Sequence, residues 1–201
     1  MTENTLIVFF KYPEPGKVKT RLAKEVGNDK ACEIYKLLFN LTSKVCLDWS
    51  KKSKFRKVIY YGAGNRDFSH TESLNSIKHQ NGKDLGLRME NAIREELNFS
   101  QKVCIIGTDL PTLSIELLEQ AFKNLDSNET VFGPASDGGF YLFGSRSLPV
   151  NCFTDIVWSS ENTLQCTMQR FEGLHCSVSL LNELTDIDSH DDYLKYASLL
   201  L

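Results

Sequence analysis

The 201-residue sequence contains no apolar run long enough to cross a membrane. Its longest apolar stretches, such as Leu6–Phe10, have the length of a strand, whereas a spanning helix needs roughly 20 apolar residues. The N-terminal MTENTLIVFFK also has no basic residue before its apolar run, as a secretory signal peptide would have. We therefore expect a cytoplasmic protein without a membrane span.

An excess of basic charge is also missing. The net charge is −3 at pH 7 and the pI is about 5.8, so the sequence has no basic footprint of the kind that nucleic-acid-binding domains carry. Hydrophobic residues make up 41% and charged residues 24%, which is typical of a globular protein. The length and the absence of linkers or repeats predict one domain over residues 1–201.

The six cysteines form no pair with C-x-x-C spacing. Zinc ribbons and dithiol redox sites use that spacing, so both are disfavoured. Several of these cysteines, such as Cys104, lie in apolar runs, and we interpret the set as small buried side chains in a reducing compartment.

Predicted strands and helices alternate along the chain. This order predicts an α/β fold in which helices cover both faces of a mainly parallel sheet, and ligands of such sheets bind beyond the carboxyl ends of the strands. The strands are predicted from apolar runs at Leu6–Phe10, Lys57–Tyr61, Ser76–His79, Val103–Ile106, Thr130–Phe132, Gly139–Gly144 and His175–Leu181. Helical spacing predicts helices over 29–49, Leu85–Leu97, Ser114–Phe122, Asn162–Phe171 and Asp191–Leu200.

The segment Lys11–Arg21, KYPEPGKVKTR, follows the first predicted strand and concentrates positive charge. Gly16 permits close approach of the backbone, and a helix that follows would offer its N-terminal amides to an anion. These features suit a di- or triphosphate, although a solvated basic turn fits equally well. A Walker A loop is excluded because Lys11 stands where that motif needs its first glycine.

Asp109 follows the predicted strand Val103–Ile106, in the segment GTDLPTL. A carboxylate in this position is costly unless it is paired, and Mg²⁺ commonly shares one or two carboxylates with substrate phosphates. We therefore interpret Asp109 as a metal ligand. The alternative is an aspartate that caps a turn.

Asp137 is followed by Gly138 and Gly139, which allow a sharp turn or a close approach to substrate. Its side chain is interpreted either as a contact to a sugar or base, or as part of a tight turn. Near the end of the chain, Asp186 and Asp188 alternate and would point to the same side of an extended segment. Asp188 is selected as a second metal ligand, with capping of the last helix as the alternative.

Taken together, several segments resemble a known family of bacterial glycosyltransferase-like proteins, called DUF2064 or selenodomain-associated transferase 1. The resemblance extends from Leu6 to about Tyr193 and depends on the order of its motifs rather than on any single one. These motifs are KYPEPGKVKTRLA, KDLGLRM, GTDLPTL, GPASDGGFYLFG, WSSENT and DIDSHDDY.

The resemblance implies a three-layer α/β/α sandwich of the nucleotide-diphospho-sugar transferase (glycosyltransferase-A-like) fold, with Mg²⁺ or Mn²⁺ as cofactor. It implies that Asp109 and Asp188 bind the metal and that Lys11, Lys19 and Arg21 belong to a phosphate-binding loop. Arg88 is implied as a further phosphate or substrate contact. From the residues themselves we select Lys19, Arg21 and Asp137 as catalytic. The full set selected for substrate or nucleotide binding is Lys11, Gly16, Lys17, Arg88, Gly138 and Gly139.

The sequence leaves two reactions open, nucleotidyl transfer from a nucleoside triphosphate and glycosyl transfer from a nucleotide-sugar. Glycosyltransferases of this fold usually carry an Asp-x-Asp motif, and Gly107 stands in place of its first acid. Nucleotidyltransferases have a single acid there, but their first loop is richer in glycine. A non-catalytic nucleotide-binding module is the third alternative. The expected partners are a nucleotide and a small-molecule acceptor, and the oligomeric state is left open.

Overall fold

The computed structural model of the chain describes residues 2–63 and 77–200. Its strands are β1 (Thr2–Lys11), β2 (Arg56–Ala63), β3 (Ile77–His79), β4 (Ser100–Ile106), β5 (Thr130–Pro134), β6 (Phe140–Ser145) and β7 (Val178–Leu180). Its α-helices are α1 (Ala23–Val26), α2 (Asn28–Lys51), α3 (Leu85–Leu97), α4 (Ile115–Asn124), α5 (Thr163–Gly173) and α6 (His190–Tyr196), and a 3₁₀ helix spans Ala197–Leu199.

Within the described ranges, the strands form a seven-stranded sheet in the order β3-β2-β1-β4-β6-β5-β7. β1 pairs in parallel with β2 and β4, and β2 with β3. β6 runs antiparallel to both β4 and β5, while β5 and β7 are parallel. The sheet is therefore mainly parallel, as predicted, with β6 as its reversed strand.

Two apolar cores cover the two faces of the sheet, because side chains alternate along a strand. On one face, Leu6 and Val8 of β1 belong to a core with Trp49 of α2 and Phe122 of α4, whose rings stack at a centroid distance of 4.8 Å. On the other face, Ile7 belongs to a core with residues of α3 and α5, including Ile93 and Phe171. Helices on both faces give the three-layer α/β/α sandwich.

Local signals explain where several helices begin. Ser114 caps α4, accepting a hydrogen bond from the Leu117 amide, and Asp84 caps α3 in the same way. Ser189 begins α6 with a capping box that it forms with Asp192. Such caps satisfy backbone amides that have no partner within the helix.

The predicted elements are all found where the described residues allow a comparison, with shifted ends. The predicted strand Ser76–His79 is seen as Ile77–His79, because residue 76 lies outside the described ranges. The closing helix is shorter than predicted and continues as the 3₁₀ turn, and α1 was not predicted. Five of the six cysteines are buried, whereas Cys166 is exposed. In the described part of the chain, we find no helix with the length and apolar character of a membrane span.

Candidate active site

A cavity of about 620 Å³ lies at the edge of the sheet where the parallel strands end. β1 and β4 pair in parallel up to Val8 and Ile106, so the loops that follow them emerge side by side. The β5–β6 turn and the segment 184–188 reach the same edge, and Ala135 forms a bridge with Leu184. These four parts of the sequence therefore contribute to one cavity, together with residues of α2, α3 and the segment 158–163.

Lys19 occupies the centre of the charged side of this cavity. Its side chain is 3% exposed, and its Nζ lies 2.8 Å from Asp109 Oδ1 and 3.0 Å from Asp188 Oδ1. Burial alone would lower the pKa of Lys19, but the two carboxylates outweigh this effect and raise the pKa above its ordinary value. Lys19 is thus a protonated ammonium held between the two predicted metal ligands.

The backbone at Lys19 is in the left-handed region, with φ 47°. Residues other than glycine adopt this conformation rarely, and it persists where the surrounding structure enforces it. Here the Lys19 carbonyl accepts a hydrogen bond of 2.8 Å from the Ala23 amide, at the start of α1. The conformation turns the side chain of Lys19 inward from a loop whose other lysines are exposed.

Asp188 is positioned by the N-terminus of α6 and by the loop after β4. Its amide donates to Asp192 Oδ2 at 3.3 Å, and the neighbouring Ile187 amide donates to the Asp109 carbonyl at 3.0 Å. Arg21 Nη1 lies 3.8 Å from Asp188 Oδ2, and the Arg21 side chain is 65% exposed. These hydrogen bonds fix the backbone segments of Asp109 and Asp188 relative to one another, while Arg21 extends from the rim of the cavity.

Asp186 is the most strongly perturbed acid of the site. Burial raises the pKa of its carboxyl to about 7, and the charges of Asp109 and Asp137 add to the effect against the opposing influence of Lys19. Its Oδ1 is buried and has no hydrogen-bond partner among residues 2–63 and 77–200. An unsatisfied buried carboxylate oxygen is costly, so this atom marks a place where a cation or donor would bind favourably.

Tyr35 of α2 fixes the end of β1. Its hydroxyl accepts from the Lys11 amide and donates to the Lys11 carbonyl, both at 2.9 Å, and Thr108 Oγ1 lies 3.3 Å from it. Burial raises the pKa of Tyr35 to about 12, so the phenol is neutral at physiological pH. Tyr35 joins the loops after β1 and β4.

The turn at Asp137 forms another wall. Asp137 Oδ1 accepts a hydrogen bond of 2.9 Å from the Gly139 amide. Gly138 has φ 86°, and a Cβ atom there would lie 2.0 Å from the Glu161 carbonyl oxygen, so only glycine fits. The Gly138 carbonyl in turn accepts from the Leu164 amide at 2.9 Å, which attaches this turn to the start of α5.

Most of the site residues expected from the sequence lie on the cavity wall. These are Lys11, Lys19, Arg21, Arg88, Asp109, Asp137, Gly139 and Asp188. Gly16, Lys17 and Gly138 do not line it. Gly16 and Lys17 lie in an exposed turn, closed by a hydrogen bond from the Lys17 amide to the Glu14 carbonyl. Gly138 lies close to the backbone of Glu161.

Among the lining residues that the sequence analysis does not select, Tyr35, Trp158 and Asp186 carry side chains of functional interest. The alternation of Asp186 with Asp188 was a usable signal, because both acids lie at the site. Trp158 is half-buried and packs 6.2 Å from Phe140 between ring centroids. No sequence pattern distinguishes such a residue from an ordinary core tryptophan.

The described residues contain no group of three or more His, Cys, Asp or Glu side chains arranged as metal ligands. The cation that lies between Asp109 and Asp188 in this structure is the Lys19 ammonium. The acidic side chains of the site nonetheless offer carboxylate oxygens, the ligand type that hard divalent cations prefer.

The family model described as "Uncharacterized protein conserved in bacteria (DUF2064)" matches residues 48–160. Among solved structures, a candidate nucleotide-diphospho-sugar transferase from Desulfovibrio desulfuricans G20 is 27% identical, with a TM-score of 0.83 over 100% of this chain and 97% of that chain. No curated protein matches the sequence at a significant level.

More distant structures share the fold. The 4-diphosphocytidyl-2C-methyl-D-erythritol synthase of Anaerococcus prevotii DSM 20548 is 13% identical, with a TM-score of 0.60 over 100% of both chains. The Rv0371c protein of Mycobacterium tuberculosis H37Rv, solved in complex with manganese, is 15% identical, with a TM-score of 0.50 over 98% of this chain and 99% of that chain. At these identities the likeness concerns the fold alone.

Proposed function

The chain belongs to the DUF2064 family, and we propose that it is a metal-dependent transferase that acts on a nucleotide, with nucleotidyl transfer from a nucleoside triphosphate as its reaction. The observation that carries this proposal is the buried Lys19 between Asp109 and Asp188. This group of charges lies at the carboxyl ends of β1 and β4, beside a cavity of about 620 Å³.

The residues on the rim suit an anionic ligand. Lys11 and Arg21 are exposed and line the cavity, and Arg88 lines it from the first turns of α3. Its Nε donates to the Gly82 carbonyl at 3.0 Å, which orients the guanidinium. Arginine and lysine side chains bind phosphate oxygens by charge-assisted hydrogen bonds, so the set matches a triphosphate and a phosphorylated acceptor.

The acids fit a divalent cation. Asp109, Asp186 and Asp188 supply carboxylate oxygens, and Asp186 Oδ1 is buried without a partner among the described residues. A relative of the same fold was solved with manganese. We propose that Asp109 and Asp188 hold Mg²⁺ or Mn²⁺; when bound, the ion neutralises phosphate charge as a Lewis acid.

The proposed reaction needs no covalent enzyme intermediate. An oxygen of the acceptor attacks the α-phosphorus, a new P–O bond forms, and the bond to the pyrophosphate breaks with its electron pair leaving on that group. Lys19 and Arg21 stabilise the charge that develops on the phosphates. Lys11 orients the nucleotide, and Arg88 contacts the acceptor.

Glycosyl transfer from a nucleotide-sugar is the second candidate. It is favoured by the relative from Desulfovibrio desulfuricans G20, whose name assigns it to nucleotide-diphospho-sugar transferases, and by Asp137 in the cavity wall. Asp137 would act as a base or as a ligand of the sugar. In this reaction the metal and the cations would stabilise a departing nucleoside diphosphate.

The two reactions differ in what they release. We expect the purified protein, supplied with Mg²⁺, the four nucleoside triphosphates and a panel of sugar phosphates, to release pyrophosphate. Release of a nucleoside diphosphate from nucleotide-sugars would instead establish the second candidate. Metal-dependent nucleotide binding with neither product would make the chain a non-catalytic module and end the transferase proposal.

A further inference from the structure

The ammonium of Lys19 lies between Asp109 and Asp188, at the place proposed for the metal. Its ammonium lies 2.8 and 3.0 Å from one oxygen of each acid, and these two acids come from different loops of the fold. A divalent ion held by Asp109 and Asp188 would draw on the same two carboxylates. The ammonium and the ion therefore compete, because both would be held between the same two carboxylates and their charges repel.

The Lys19 side chain can leave this position without unfolding the loop. The backbone at this residue is fixed by its φ of 47° and by the hydrogen bond from Ala23 to its carbonyl. The ammonium, however, is joined to that backbone by a flexible four-carbon stem. Lys19 can thus exchange its two carboxylates for a phosphate that binds in the adjoining cavity.

Without a ligand, the negative charges of the site make it unfavourable for Asp109 and Asp188 to lose their cation. Asp137 and Asp186 line the same cavity as Asp109 and Asp188, and Lys19 contacts the latter two acids with a side chain that is only 3% exposed. Removal of the ammonium alone would leave the like charges of Asp109 and Asp188, whose side chains are 38% and 40% exposed, without the cation that contacts both of them. The arrival of a compensating cation therefore favours the departure of Lys19.

We propose that Lys19 is the resident cation of the Asp109–Asp188 pair, and that a divalent metal enters this pair only together with a polyphosphate that draws the Lys19 ammonium away. The inference rests on the proposed function for the polyphosphate itself. It assigns Lys19 two partners in turn, the acids in the free protein and the phosphates in the complex. The nucleotide-free protein consequently binds metal weakly.

Titration of Mn²⁺ into nucleotide-free protein, followed by the electron paramagnetic resonance signal of the free ion, tests this without any assay of turnover. Lys19→Met keeps the length of the side chain and removes the charge. We expect Lys19→Met to bind Mn²⁺ at least tenfold more tightly than the wild type. Lys24→Met, at an exposed position of α1, is the matched control and should leave the affinity unchanged.

The proposal requires that Asp109 and Asp188 bind the Mn²⁺ ion in Lys19→Met. The double variant Lys19→Met/Asp188→Asn should therefore lose the gain in affinity. Lys19→Gln provides a second neutral variant, and circular dichroism checks that each variant is folded. An equal affinity in the wild type and the folded neutral variants would overturn the proposal, as would wild-type binding of Mn²⁺ tighter than about 10 µM without nucleotide.

These outcomes separate the inference from the proposed function. Turnover by a wild type that already binds metal tightly would refute the role of Lys19 and leave the transferase standing. A gain of metal affinity in Lys19→Met, in a protein that turns over no nucleotide, would support the exchange at the acids and refute the transferase.

Discussion

Two cations of one loop have different surroundings, and this difference separates their roles. Lys19 is 3% exposed and contacts two carboxylates, whereas Arg21 is 65% exposed and lies 3.8 Å from one. An exposed ion pair at that distance contributes little to stability. We therefore propose that Arg21 binds a ligand rather than stabilising the fold.

Replacement of Arg21 by alanine should consequently affect turnover without affecting folding. We expect kcat/KM for the nucleotide to fall about 100-fold, as for the loss of one charge-stabilising group. The free energy of unfolding in urea should change by less than about 0.5 kcal/mol. Lys24→Ala, at an exposed position nearby, should change neither quantity. Unaltered turnover in Arg21→Ala would remove this residue from the mechanism.

At the residue scale, the sequence predicts best those site residues that directly follow a strand. Asp109 lies just beyond β4, and an acid there is informative because parallel strands share one edge. Tyr35 could not be predicted, since it lies within α2 and reaches the site through tertiary packing. By charge alone, Lys17 and Lys19 look alike in the sequence. The left-handed backbone at Lys19 has no sequence signature, so the sequence does not show that only Lys19 turns inward.

At the scale of elements, the first turn of α6 does more than begin a helix. The Asp192 carboxylate accepts hydrogen bonds from the amides of Asp188 and Ser189, at 3.3 and 2.9 Å. The Ser189 hydroxyl lies 2.7 Å from the same oxygen. The capping box thereby fixes the backbone that carries Asp188. Ser189 and Asp192 form the cap, while Asp188 lines the cavity.

Two adjacent acids of this helix allow a matched test. Asp192→Ala should lower the free energy of unfolding by about 1 kcal/mol, as for the loss of a helix cap, and should lower turnover because Asp188 is no longer held. Asp191→Ala removes an exposed acid from the same turn and should leave turnover unchanged. Urea unfolding and initial rates measure both effects. Equal losses of turnover in the two variants would mean that helix charge, rather than the position of Asp188, matters.

The elements themselves were largely predictable because buried strands appear as apolar runs. The direction of β6 was not, since an apolar run looks the same in a parallel and an antiparallel strand. α1 has four residues and none of them is buried, so no apolar periodicity marks it. The mainly parallel sheet followed from the alternation of strands and helices, which a single reversed strand does not disturb.

At the scale of the whole molecule, the site exists only when the chain is folded. Asp109 and Asp188 are brought to Lys19 by the pairing of β1 with β4 and by the bond between the Ile187 amide and the Asp109 carbonyl. A ligand of this site therefore binds the native state and should stabilise it against unfolding. The stabilisation should depend on metal and nucleotide together, because Lys19 occupies the acid pair until phosphate arrives.

Thermal unfolding tests this dependence directly. A nucleoside triphosphate with Mg²⁺, present at about 100 times its Kd, should stabilise the protein by about 2.7 kcal/mol, which raises Tm by roughly 5–10 °C for a domain of this size. Removal of Mg²⁺ with EDTA should abolish most of that shift, and Mg²⁺ without nucleotide should produce almost none. A full shift with Mg²⁺ alone would contradict the exchange at Lys19, whereas no shift with any nucleotide would contradict the nucleotide site itself.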